Sequence, residues 1–92
     1  MCEDNRMTFL VGERREITSE IKATNKKEAI DSSTYTFKKE SGGSLVSEGE
    51  CEIKGNEVIV LLDFPQKGTF ILEIESCVGR EKVKSKTYID VE

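Results

Sequence analysis

Residues 57–76, EVIVLLDFPQKGTFILEIES, decide the fold of this 92-residue chain. Apolar residues recur at every second position in each half of the segment, and this period predicts two half-buried β-strands. Pro65 and Gly68 lie between the halves and predict a corner that joins them. The residues of the apolar faces are Val58, Val60 and Leu62 in the first strand and Phe70, Leu72 and Ile74 in the second.

The composition is that of one folded domain. Charged residues make up 35% of the chain and hydrophobic ones 36%, a balance that excludes a disordered chain. A chain of this length buries about 60–65% of its unfolded surface, enough for one core but not for a deep active-site cavity. We therefore expect a flexible tail at 1–6 and a single domain at 7–92.

The charge argues against two classes of partner. The formal net charge is −4, whereas nucleic acids and anionic membranes select basic surfaces. No apolar run is long enough to span a bilayer, and the acidic start MCEDNRMTFLV does not resemble a signal peptide. We expect a chain that is cytoplasmic at synthesis, with Cys2, Cys51 and Cys77 as free thiols.

The rest of the chain supplies further strands at 7–11, 15–24, 33–39, 45–54 and 82–91. Segment 15–24 also allows a helix, because Ile17 and Ile21 are four residues apart, but its β-branched residues favour a strand. A polar turn follows at 25–28, after which the segment Ala29-Ile30-Asp31 is expected to pack one apolar side chain on the core. The strand at 45–54 is expected to break at Gly49. About seven antiparallel strands, with turn signals every 8–12 residues or so, predict an all-β, Greek-key sandwich.

Two strand pairings follow from the turns. Gly55 and Asn56 form a two-residue hairpin connection, which places Ile53 opposite Val58 and Cys51 opposite Val60, all facing inward. In the last strand the inward residues alternate with lysines, which are expected to face glutamates of the preceding strand. The lysines are Lys82, Lys84 and Lys86, the glutamates Glu73 and Glu75, and the inward residues Val83, Ser85, Thr87, Ile89 and Val91.

The residues that usually carry catalysis are scarce. The chain contains no histidine, the commonest base and metal ligand, and its cysteines lack the spacing of a zinc site. Cys51 and Cys77 are expected to pack as small apolar residues, and an inter-sheet disulfide is the alternative. Glu48, Glu50 and Glu52 recur with period two and suggest either a solvated strand edge or a calcium site. We expect no enzyme, no metal and no cofactor.

One pattern points to a protein partner. Ile59, Leu61 and Ile71 fall on the side opposite the core-facing residues, whereas the outer face of a small sandwich is normally polar. Either the N-terminal segment covers these residues, or they form a contact face for another protein or a second copy of the chain.

The order of these signals resembles the immunoglobulin-like N-terminal domain of the phage baseplate upper protein and related domains of tailed-phage and prophage structural proteins. The resemblance rests on six features in sequence. They are the alternating strand at 17–23, the step Ile30-Asp31, the strand Thr34-Tyr35-Thr36-Phe37-Lys38, the hairpin Lys54-Gly55-Asn56-Glu57-Val58, the corner at 65–70 that leads into an aromatic strand with Leu72 and Ile74, and the closing strand at 82–91.

The resemblance implies an immunoglobulin-like sandwich that docks within a tail or baseplate assembly and becomes a virion component. The residues themselves leave a second hypothesis open. The net charge of −4 and the glutamates at 48, 50 and 52 also suit a small acidic regulator or inhibitor that occupies a basic site on a host protein.

Overall fold

A computed structural model of the chain describes residues 5–21 and 29–92. These residues form two β-sheets that pack together as a sandwich, so the all-β prediction is confirmed. The strands are β1 (Asn5–Phe9), β2 (Arg14–Glu20), β3 (Ser32–Lys39), β4 (Leu45–Glu50), β5 (Glu52–Lys54), β6 (Glu57–Asp63), β7 (Gly68–Val78) and β8 (Glu81–Val91). The larger sheet has the order β1-β8-β7-β3-β4, and the smaller one has the order β2-β6-β5.

The core lies between the sheets and is built by the predicted alternation. In β6 and β7 every second residue is buried, beginning at Val58 and Phe70 respectively. Phe37 packs against Phe70 with ring centroids 5.1 Å apart, and Phe64 packs against Phe9 at 4.8 Å. The buried apolar residues are Ile17, Ile21, Ile30, Phe37, Cys51, Val58, Val60, Leu62, Phe64, Phe70, Leu72, Ile74, Val78, Ile89 and Val91.

The strands β6 and β7 belong to opposite sheets, although the chain joins them by only four residues. Their apolar sides face each other across the core, and the corner at 64–67 crosses from one sheet to the other. Phe64 is buried in this corner, while Pro65 and the residues after it are exposed. Because stacked sheets lie about 10 Å apart, a corner of this length is enough to change sheets.

The first strand differs from the expectation in two ways. It begins at Asn5 rather than at residue 7, and it pairs with β8 in parallel, while the other pairings are antiparallel. A side-chain contact adds to this backbone pairing, since the Arg6 guanidinium of β1 donates two hydrogen bonds to the Asp90 carboxylate of β8, at 2.7 and 3.0 Å. The turn at Val11 and Gly12 then takes the chain into the smaller sheet. Residues 1–4 of the expected tail lie outside the described residues.

The segment after this turn is a strand, as the β-branched residues favoured. Ile17 and Ile21 are both buried, because residues an even number of positions apart point to the same side of an extended chain. In the segment 29–31, one apolar side chain packs on the core as expected: Ile30 is buried, while Ala29 is exposed. The polar turn predicted at 25–28 lies outside the described residues.

The expected strand at 45–54 divides at Cys51 rather than at Gly49, because the chain changes sheets there. Gly49 stays within β4, opposite Tyr35, and a Cβ at Gly49 would lie 3.3 Å from the Tyr35 ring. Ile53 is opposite Val58, as predicted, but Cys51 lies outside the β5–β6 ladder and its N–H bonds to the Ser33 carbonyl. Ile53 is also 38% exposed rather than buried, since β5 is a three-residue edge strand.

The lysine and glutamate pairing predicted for the last two strands is present. Lys86 lies opposite Glu73, and Lys84 lies opposite Glu75. The Glu75 carboxylate is 3.4 Å from the Lys82 amine and 3.8 Å from that of Lys84. Glu73 instead forms its short ion pair, at 2.7 Å, with Lys38 of β3.

Candidate protein-contact face

The structure separates the three residues expected to form one contact face. Ile59 and Leu61 lie on β6, on the solvent side of the smaller sheet. Ile71 lies on β7, on the solvent side of the larger sheet. The prediction of a single surface was wrong because β6 and β7 belong to different sheets, so their solvent-facing residues lie on opposite sides of the sandwich.

Ile59 and Leu61 form the apolar centre of a face that we call the β2–β6–β5 face. It consists of the residues whose side chains point to solvent from the smaller sheet. Ile59 is flanked by Thr18 on β2 and by Glu52 on β5. Leu61 is flanked by Glu16 on β2 and has no partner on its other side among the described strands, because β5 begins only at Glu52, opposite Ile59. Leu61 is consequently 59% exposed.

Carboxylates surround this apolar centre. Glu20 and Glu57 lie directly opposite each other on β2 and β6, and Lys54 lies on the other side of Glu57. Arg14 and Asp63 form an ion pair at 2.7 Å at the far end. Among the described residues of this face, five carboxylates against two cations give a net charge of −3. Its charged residues are Arg14, Glu16, Glu20, Glu52, Lys54, Glu57 and Asp63.

The glutamates of this face are not neutralised by neighbours within the described part of the chain. Glu16, Glu20, Glu52 and Glu57 take part in no ion pair there, in contrast to Asp63. They are also spread along three strands. Among residues 5–21 and 29–92, no three carboxylate, thiol or imidazole side chains converge as metal ligands do. The arrangement suits contact with a broad, basic surface better than binding of a single ion.

Ile71 has a different environment on the larger sheet. It lies between Tyr88 of β8 and Lys38 of β3 and is half-buried by these neighbours. The Arg6 guanidinium and the Lys86 amine each lie near the Tyr88 ring, 5.8 and 5.9 Å from its centroid. These long side chains shield apolar surface, so Ile71 is a poorer contact residue than Leu61.

The N-terminal segment does not cover the β2–β6–β5 face with any described residue. β1 pairs with β8 at the edge of the larger sheet and sends Met7 and Phe9 toward the core. The alternative in which the chain's own N-terminus hides Ile59 and Leu61 is therefore not met by residues 5–9.

Cys51 and Cys77 are both free thiols. Burial raises the pKa of the Cys51 thiol, and a hydrogen bond with Ser33 offsets part of this increase. The Ser33 and Ser76 hydroxyls are also bonded to each other, at 2.9 Å, in the buried space beside Cys51. A raised pKa keeps the thiol protonated at neutral pH, which makes Cys51 a weak nucleophile and a packing residue.

The glutamate row expected at 48, 50 and 52 is divided between the sheets. Glu48 and Glu50 lie on β4 of the larger sheet, and Glu52 lies on β5 of the smaller one. Sequence reasoning missed Glu16, Glu20 and Glu57, which join Glu52 on one surface. Their cross-strand positions follow only from the pairing of β2 with β6.

The larger sheet and the corner after β6 enclose a shallow groove of about 250 Å³. It lies between the start of β4 and the corner after β6 and is lined by Lys39, Ser44, Leu45, Val46, Pro65, Gln66 and Phe70. It brings together one cation and several apolar side chains, without the convergent polar groups of a small-molecule site.

No protein-family model matches the chain, and no significantly similar chain was found among curated proteins. Within the described residues there is no helix of the length and hydropathy needed to cross a membrane.

Proposed function

We propose that this chain is a non-enzymatic protein-interaction module that docks onto another protein through the β2–β6–β5 face. The observation that carries the proposal is the position of Ile59 and Leu61. Both point to solvent from the central strand of a sheet, and no described residue covers Leu61. An apolar centre with a polar rim is the usual anatomy of a protein–protein contact.

The proposed setting is a tail or baseplate assembly of phage or prophage origin, as the sequence resemblance implies. The strand order supports an immunoglobulin-like fold. The order β2-β6-β5 corresponds to strands B-E-D of such a sandwich, and β8-β7-β3-β4 corresponds to G-F-C-C′. The face on B-E-D is then available for docking, while the larger sheet carries its own ion pairs.

The net charge of −3 on the face favours a second candidate, a small acidic regulator that occupies a basic site on a host protein. The two candidates use the same surface and differ in the identity of the partner. Identification of the partner as a structural protein of a virion supports the first candidate. Identification of it as a host protein whose activity falls on binding supports the second.

The proposal is tested by affinity capture from the source cells with three forms of the chain. We expect the wild type and an Ile71→Thr control to retain the same specific partner, and an Ile59→Thr/Leu61→Thr variant to lose it. Threonine is neutral and suits a strand, so the variants change apolar contact rather than charge or fold. Capture that survives the double substitution, or that is lost equally with Ile71→Thr, contradicts the proposal.

A further inference from the structure

The opposed pair of Glu20 and Glu57 indicates what the face is made to contact. These glutamates are cross-strand neighbours on the solvent side of the smaller sheet, and like charges in this position destabilise a sheet. No ion pair within the described residues involves either of them. Among the described residues of this face, Lys54 is the cation nearest to the pair along the sheet, since it lies opposite Glu57, and solvent screens the repulsion further.

A second observation connects this pair to the apolar centre. Glu16 flanks the exposed Leu61 from β2, and Glu52 flanks the half-buried Ile59 from β5, so a carboxylate lies beside each of the two apolar side chains. The other end of the face is neutral, because Arg14 and Asp63 satisfy each other at 2.7 Å. The uncompensated charge is therefore concentrated around Ile59 and Leu61 and toward the hairpin at Gly55.

We infer that the partner presents lysine or arginine side chains around an apolar centre, and that these cations contact Glu16, Glu20, Glu52 and Glu57. The inference rests on the proposed function and adds the chemistry of the partner to it. A basic surface relieves the Glu20–Glu57 repulsion on binding, so the charge that weakens the free sheet strengthens the complex. Complementary charge of this kind also selects against acidic partners.

The inference is tested by NMR titration of the whole chain with a short cationic peptide, acetyl-Lys-Val-Lys-Leu-Lys-amide. Its counterpart with glutamate in place of lysine serves as the negative probe. We expect the cationic peptide to shift amides of β2, β5 and β6, and the acidic peptide to shift none of them. Binding is expected to weaken as the salt rises from about 0.1 M to about 1 M, since the Debye length falls from about 10 to about 3 Å.

Two charge-matched variants locate the effect. E16Q/E20Q/E52Q/E57Q removes the four glutamates of the face and leaves the Arg14–Asp63 pair, and E40Q/E48Q/E50Q/E92Q removes the same number of exposed carboxylates elsewhere. We expect the first to weaken peptide binding about tenfold, as when several exposed ion pairs are lost together, and the second to change it less than about twofold. Equal weakening by both variants, or peptide shifts confined to the larger sheet, overturns the inference.

A separate measurement distinguishes this inference from the proposed function. We expect Glu20→Gln to raise the urea midpoint of the free protein while it weakens peptide binding, because it removes one partner of the repelling pair. If E16Q/E20Q/E52Q/E57Q still captures the cellular partner and Ile59→Thr/Leu61→Thr does not, the docking face stands, and the inference that the partner is basic is refuted. If the double threonine variant still captures the partner, the docking face itself is refuted.

Discussion

Gly55 fixes the β5–β6 hairpin through one backbone angle. Its φ of 64° is positive, while no non-glycine residue among those described has a positive φ. The signs of φ at Gly55 and Asn56 fit a type II′ turn, which takes glycine at its first central position. The hairpin matters for the face because it sets the register that brings Glu52 beside Ile59.

The Gly55→Ala substitution should therefore cost about 1 kcal/mol of unfolding free energy, since an L-residue is strained at this φ. Nothing lies within 4 Å of the added Cβ, so the cost is conformational rather than steric. Urea denaturation measures the change. Asn56→Ala is the matched control and should cost clearly less, because it leaves the bond from the Ile21 N–H to the residue 56 carbonyl in place. Equal costs would show that the angle at Gly55 is not the cause.

The buried Ser33 and Ser76 hydroxyls illustrate a polar contact that the period-two pattern does not reveal. Both lie on core-facing positions of β3 and β7 and are bonded at 2.9 Å. Alternation marks these positions as inward, but serine in an apolar face gives no indication of its partner. The partner is known only once Ser33 is placed opposite Ser76 by the strand pairing.

A double-mutant cycle tests this pair. We expect Ser76→Ala alone to cost about 1 kcal/mol, since it leaves the Ser33 hydroxyl with one fewer partner in the core. The double variant Ser33→Ala/Ser76→Ala should cost less than the sum of the single variants, because neither hydroxyl is then left behind. Chemical denaturation of the four proteins gives the coupling. Additive costs would mean that the hydroxyl–hydroxyl bond does not contribute.

At the scale of elements, β1 is held to β8 partly by charge. The Asp90 carboxylate accepts hydrogen bonds from the Arg6 guanidinium and from the Thr69 hydroxyl, the latter at 2.9 Å. The hydrogen bond from Arg6, followed by that from Thr69, lowers the pKa of Asp90 in the folded protein. A carboxyl group with a lowered folded pKa stabilises the protein only while it is ionised.

This sign gives a pH prediction for Asp90→Asn. The contribution of Asp90 is complete above its unfolded pKa of about 3.9 and is lost as the pH falls through the lower folded value. We expect Asp90→Asn to be less stable than the wild type at neutral pH, and the difference in unfolding free energy to shrink as the pH falls below about 3.9. Urea midpoints measured from neutral pH into acid give this difference. A difference that stays constant into acid would contradict the assignment.

The elements also show how far the sequence alone leads. Alternation correctly places Phe37, Val60 and Leu72 in the core, and the Gly55-Asn56 pair correctly sets Ile53 against Val58. It does not say which sheet a strand joins, because the inward face of either sheet looks the same from within one strand. The division at Cys51 and the parallel pairing of β1 depend on contacts between distant segments, so local pattern does not predict them.

For the whole molecule, the separation of β6 and β7 determines what the surface can do. The sequence predicts that Ile59, Leu61 and Ile71 point away from the core. Because the corner at 64–67 crosses between the sheets, Ile71 lies on the opposite side of the sandwich from the other two. The same crossing leaves Ile59 and Leu61 among glutamates of β2 and β5. The acidic character of the contact face is thus a property of the assembled sheet rather than of any one strand.

Methyl NMR on the complex with the captured partner tests directly whether the β2–β6–β5 face makes the contact. In protein labelled at isoleucine and leucine methyl groups, we expect the signals of Ile59 and Leu61 to shift or broaden on binding, while the Ile71 signal stays in place. Perturbation of Ile71 with unchanged signals from Ile59 and Leu61 would place the partner on the larger sheet and refute docking through the β2–β6–β5 face.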